Sequence, residues 1–217
     1  GGNTTVNNNL TITLGTLDVD TTNNYSLSVG GNFANSGTFT ARAGTVTITS
    51  TSSSATLTSG GSSFYALTQN GSGGTYTLQD ALSVSNNLVM TAGTLQLAAQ
   101  SLTVTGTTSI TGTLNDNSAT GTNLFVGAVT INSGGIWTET NNPAFTFRGG
   151  LTNNSSSGFT SGSGTYTFDT NAQTISGSQS FTITNLTNNV TTSTGLTFSG
   201  AQPTVTTLTQ GSSAQLT

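Results

Sequence analysis

The sequence predicts an all-β solenoid, one short coil repeated along an axis, and three observations carry that prediction. Apolar and polar residues alternate with a period of two almost throughout, as in LTITL (10–14) and YTF (166–168). This is the pattern of a strand with one face inside and one outside. A Gly-Thr-apolar phrase recurs in GTLDVD (15–20), GTFTAR (37–42), GTVTIT (44–49), GTYTLQ (74–79), GTLQLA (93–98), GTLNDN (112–117) and GTYTFD (164–169). A longer period lies over both. LSVSNNLVMTAGTL (82–95), LTVTGTTSITGTL (102–114), LFVGAVTINSGGI (124–136) and FTFRGGLTNNSSSGF (145–159) begin at almost even intervals.

A coil of that length cannot bury its own apolar face. Stacked coils bury a continuous core and complete one another's backbone hydrogen bonds. Taken in order, the strands are LTITL (10–14), LSV (27–29), VTI (46–48), YTL (76–78), LTV (102–104), FTF (145–147), YTF (166–168) and FTI (181–183). Between 46 and 81 the spacing loosens around Ser-rich loops at 50–54 and 59–63, and from 181 the repeat is expected to shorten. Gly15, Gly37, Gly74, Gly93, Gly112 and Gly164 open phrases and are expected to be corners, where glycine adopts positive φ freely. About 20 residues per coil makes residues 1–217 a single array of about 10 or 11 coils, a rod of roughly 50 Å. The competing fold is an antiparallel sandwich, which also spaces turns closely. It does not explain one phrase repeated so often, or a surface so poor in charge.

Only 4% of the residues are charged and the net charge is −4. Arg42 and Arg148 are the two basic residues, and Cys and His are absent. This excludes a thiolate nucleophile, an imidazole base, a lysine Schiff base and a Cys/His zinc site. It also excludes ordinary nucleic-acid binding, which needs several cations on phosphates. No apolar run approaches the length of a transmembrane helix. There is no initiator Met and no signal-peptide pattern, so a processed product or a segment of a longer chain is expected.

The phrases LSVGGNFANSGTF (27–39) and GTLQLAAQSLTVTG (93–106) resemble the β-strand repeats of large bacterial surface proteins. These are the parallel β-helical adhesins, autotransporter passenger regions and filamentous-haemagglutinin-like exoproteins. The resemblance implies a right-handed parallel β-helix. The full expectation is therefore an all-β, right-handed parallel β-solenoid with coils of about 20 residues. The resemblance further implies secretion to the cell surface or the extracellular space and a structural or adhesive role. It supplies no catalytic motif, and neither an enzyme nor a cofactor is expected.

Asp18 and Asp20 lie two apart on a strand and so point to one side. They could form a Ca²⁺ or acid/base pair, but laying GTLDVD on GTFTAR puts Asp20 beside Arg42, an expected exposed ion pair. Asp18 is left to contact a neighbouring subunit. GTLNDN and GGIWTE (134–139) could bring Asp116 near Glu139, while Asp80 and Asp169 stand apart. Trp137 is expected to face outward with Ile136 inward, and Tyr65 outward opposite Phe64; both are candidate contacts for a partner chain or a sugar. Thr-apolar-Thr triplets raise ice binding, yet their uneven spacing along the chain argues against one unbroken rank. The N-x-S/T sequons number about what so much Ser, Thr and Asn produces by chance, although glycosylation fits such a surface. The leading expectation is a surface rod that self-associates end to end into a fibre or layer. The alternatives are a glycan-binding or lyase-like β-helix and an ice-binding solenoid.

Overall fold

A computed structural model describes residues 1–156 and 158–217. The chain winds about ten times around one axis with about 21 residues per turn, as a parallel β-solenoid with no helix among the described residues. Each turn has three sides. The first runs from Thr4–Val6 through Leu27–Val29 and Thr45–Ile48 to Leu196–Phe198. The second includes Leu10–Ile12, Phe33–Asn35, Ala55–Thr58, Thr113–Asp116 and Ile136–Glu139. The third is the seven-stranded sheet from Leu82–Val84 to Thr204–Gln210, preceded in the first two coils by Thr16–Asp18 against Thr38–Thr40.

Every strand pairing among the described residues is parallel, and the step between partners adapts to the corners. A short step carries Leu27 to Val46, and a longer one carries Leu151 to Ile175. The Ser-rich loops at 50–54 and 59–63 therefore change corners, not coils: Val46 still pairs with Leu67. The repeat does not shorten after 181 either. Ile183 pairs with Val205 and Leu186 with Leu208, a full coil each time. What changes is that Thr182–Asn189 runs through the corner between two sides as one strand.

The recurring phrase serves all three sides. Gly44 opens a first-side strand, Gly74, Gly93 and Gly112 lead into the second side, and Gly15, Gly37 and Gly164 into the third. Of the six expected corner glycines, only Gly15 and Gly93 have positive φ, 76° and 77°. Gly37, Gly74, Gly112 and Gly164 are needed for another reason: a Cβ there would strike the backbone carbonyl of Gly15, Ser50, Gly93 or Pro143 respectively. Close coil-to-coil approach, more than left-handed backbone, selects glycine at these corners.

Inward residues form one continuous apolar core. Phe33, Phe39 and Phe64 meet edge to face near the N-terminal end, with ring centroids 5.0–5.4 Å apart. On the third side, Phe125 stacks on Phe147 at 5.6 Å and Phe147 on Phe168 at 5.0 Å. Trp137 belongs to this second cluster. It is 1% exposed, whereas Ile136 is 43% exposed, the reverse of the expected orientation. Leu114 pairs with Trp137 and Thr113 with Ile136, so Ile136 takes the outward Thr place of the phrase and Trp137 the core place. Phe64 is buried, as its alternation requires, and Tyr65 is half-buried against the core.

Candidate functional site

Register places two acids in the interior. On the second side, Phe33, Leu57 and Leu78 occupy one inward column, partner upon partner. Farther along that side Asp116 pairs with Glu139, and each is 1% exposed. Parallel partners stand about 4.8 Å apart. The sequence brings these acids close, but its alternation does not reveal that both face inward, because NDN and WTE each carry polar residues on both faces.

Asp116 is held by its neighbours. One carboxyl oxygen accepts the Ser118 backbone N–H at 3.1 Å, the other the Asn123 side-chain N–H at 2.8 Å. Asn123 is 2% exposed, and its own carbonyl oxygen accepts the Leu102 backbone N–H at 3.0 Å. Aligning LTV with LFV would set Leu124 over Leu102. The ladder instead pairs Thr103 with Leu124 and Val104 with Phe125, which turns Asn123 inward and Leu124 outward. Asn123 is thus a site residue that sequence reasoning missed. Phe125 carried the signal, since it is the larger apolar group in a two-residue alternation with Asn123.

Glu139 is more isolated. Neither carboxyl oxygen has a hydrogen-bond partner among the described residues. Gly162 and Gly164 press on it so closely that a Cβ at either would meet its side chain, at 3.2 Å from Cγ and 2.6 Å from Oε2. Burial pushes its carboxyl from the usual 4.5 up to about 8; the nearby Tyr166 phenol opposes the rise and Asp116 adds to it. Burial also raises the Asp116 carboxyl, with Ser118 and Asn123 pulling the other way. The Tyr166 hydroxyl accepts the indole N–H of Trp137 at 2.8 Å, and its phenol is held well above its ordinary range by burial and then by Glu139. An isolated buried carboxylate is far costlier than a neutral carboxyl, so burial favours the protonated form of both acids, and Glu139 keeps its proton near neutral pH.

The other acids face outward. Arg42 pairs with Asp18 and not with Asp20: its Nε donates to Oδ1 at 3.0 Å and its Nη2 to Oδ2 at 2.6 Å. Asp20 has φ 82° and turns away to cap its own loop, accepting the backbone N–H groups of Thr22 at 2.8 Å and Asn23 at 2.9 Å. Asp18 therefore already has its partner within the chain. Arg148 makes the equivalent pair with Asp169 at 2.8 Å. Asp80 caps the neighbouring coil through Ser59 and Gly60, both at 2.7 Å. Among the described residues no three acids gather as a metal site.

The third side carries two parallel outward ranks. Thr103, Leu124, Thr146, Thr167, Thr187 and Thr209 stack in one rank. Thr122, Ala144, Thr165, Asn185 and Thr207 form a second rank two residues away, extended by the hydroxyl contact of Ser101 with Thr122. Triplet spacing along the chain does not disclose this. Triplets fall on different sides, and single Ser and Thr residues complete the ranks.

No protein-family model, curated protein or solved structure matches the chain.

Proposed function

We propose that the chain is a structural, adhesive rod of a bacterial cell surface or extracellular layer, and that copies associate end to end. The observation that supports this is the state of the terminal coils. At the N-terminal end Val6, Leu10, Leu17, Tyr25 and Leu27 line an open cavity of about 360 Å³. Leu14 beside it is 87% exposed. At the other end Leu208 and Leu216 are 45% and 41% exposed. A further coil of the same period, from more of the chain or from a second copy, would cover these groups and pair the free strand edges; between copies, head-to-tail contacts of that kind do not close, so they grow a filament. The extracellular address rests on the resemblance of the repeats to surface proteins. Electron microscopy of the concentrated protein tests the proposal. Filaments with an axial repeat of about 50 Å are expected. A dispersion of single rods at every concentration overturns it.

The paired ranks on the third side favour a second reading, an ice-binding face. Their hydroxyls and methyls repeat about 4.8 Å along the axis and about 6.7 Å across it, and Arg148 and Asp169 neutralise each other outside the ranks. Thermal hysteresis that Thr167→Lys reduces is its expected signature, and freezing without hysteresis removes it. The sugar-site reading drew on an outward Trp137 and loses that platform with the indole buried.

A further inference from the structure

We propose that Asp116 and Glu139 form a pH-sensitive buried pair between the sixth and seventh coils, which leaves the rod tight in acid and loosens it as the solution turns neutral and alkaline. The inference is independent of the fibre and ice readings. It starts from geometry: two carboxyls in ladder register on successive coils, each 1% exposed. Around Asp116 stand the Asn123 amide and the Ser118 backbone. Around Glu139 stand Tyr166, Gly162 and Gly164, and neither carboxyl oxygen has a partner among the described residues. The titratable groups that face Glu139 are thus Asp116 and Tyr166, and neither supplies positive charge. Both arginines of the chain lie on the outer surface, bound to Asp18 and Asp169.

A carboxyl in such surroundings has two ways to avoid an uncompensated charge. It keeps its proton, or the wall around it opens to water. The folded coil takes the first course while protons are available. As pH rises, the opened form gives its proton to solvent and is favoured. For an acid raised in the folded state, tightening is complete below its ordinary value of 4.5 and is lost progressively up to about 8. The neighbourhood is built to report this, because Trp137, the single Trp of the chain, lies two residues from Glu139 and donates its indole N–H to Tyr166.

Hydrogen exchange tests the proposal on the unmodified protein. The amides of Thr113–Asp116 and Ile136–Glu139 are followed from pH 5 to 9, with those of Thr45–Ile48 in the same sample correcting for the chemical rise in exchange rate. The corrected opening constant of the central strands is expected to rise by up to tenfold per pH unit to about pH 8 and then level off. Trp137 emission should move toward that of an exposed indole over the same range. Glu139→Gln should flatten both profiles. A corrected opening constant independent of pH overturns the proposal, and so does a folded Glu139→Gln protein that keeps the wild-type profile. Because the unmodified protein gives a decisive result, a variant that fails to fold does not blunt the test.

Discussion

The second and third coils and the sixth and seventh use one architecture with opposite interiors. In the former, Phe33 and Leu57 fill the inward column of the second side, beside the Phe33–Phe39–Phe64 cluster. In the latter, that side turns Asp116 and Glu139 inward, next to Trp137 and Tyr166. Both regions keep the parallel ladder and both are closed to water. The difference shows that strand pairing and overall burial hold the coil, while side-chain chemistry decides under which conditions it is stable. The apolar coils have nothing inside to titrate. The acidic coils gain burial of large aromatics, such as Trp137 against Phe145 at 4.9 Å, and set against it the cost of two enclosed carboxyls.

Four substitutions would break or sharpen this contrast. The largest effect is expected from Leu57→Asp, which removes a fully buried side chain and places a carboxyl in the apolar column between Phe33 and Leu78. A loss of about 5 kcal/mol is expected in denaturant unfolding, smaller in acid. Survival of Leu57→Asp with near wild-type stability at pH 8 would mean that any coil accepts an inward acid. Next is Trp137→Ala, expected to cost about 3–5 kcal/mol, with the midpoint of thermal unfolding as the measure. A small effect there would return the indole to the surface.

Glu139→Gln comes third and should stabilise. It removes the charge that burial resists, so stability at pH 8 should rise while stability at pH 5 changes little. The sign follows from the raised carboxyl: in the wild type the unfolded chain releases its proton above 4.5 and the folded chain only at about 8, so stability falls between those values. The slope from this carboxyl is at most about 1.4 kcal/mol per pH unit, read from unfolding midpoints across pH. Smallest is Asp18→Asn. Its ion pair with Arg42 is exposed and screened by salt, so melting temperatures in high salt should coincide with those of the wild type.

How far these regions were legible differs for a physical reason. Alternation and the return of Gly-Thr-apolar are local, and they sufficed for strands, parallel stacking and the approach of Asp116 to Glu139. The Trp137 orientation was legible too, though in the phrase and not in the adjacent pair: Gly112-Thr113-Leu114 lies on Gly135-Ile136-Trp137, and the third place is the core place. Alternation by itself leaves both assignments open, since Ile136 and Trp137 are both apolar. The Asp20–Arg42 pairing failed at a turn. Linear superposition assumes that the strand continues, and Asp20 leaves it with positive φ, so the guanidinium meets Asp18.

The sequence by itself determined that this protein is a charge-poor β-solenoid of short, closely similar coils, because the period of its side chains dictates which face must be buried and how often the chain must return. Only the tertiary structure decided what each return brings together. The steps from Asn123 to Phe145 and from Asp116 to Glu139 set which atoms share the interior. A one-residue slip in either step would reverse every side chain beyond it. Corners set those steps, and they do so through the close backbone contacts of glycines that the sequence marks but does not measure.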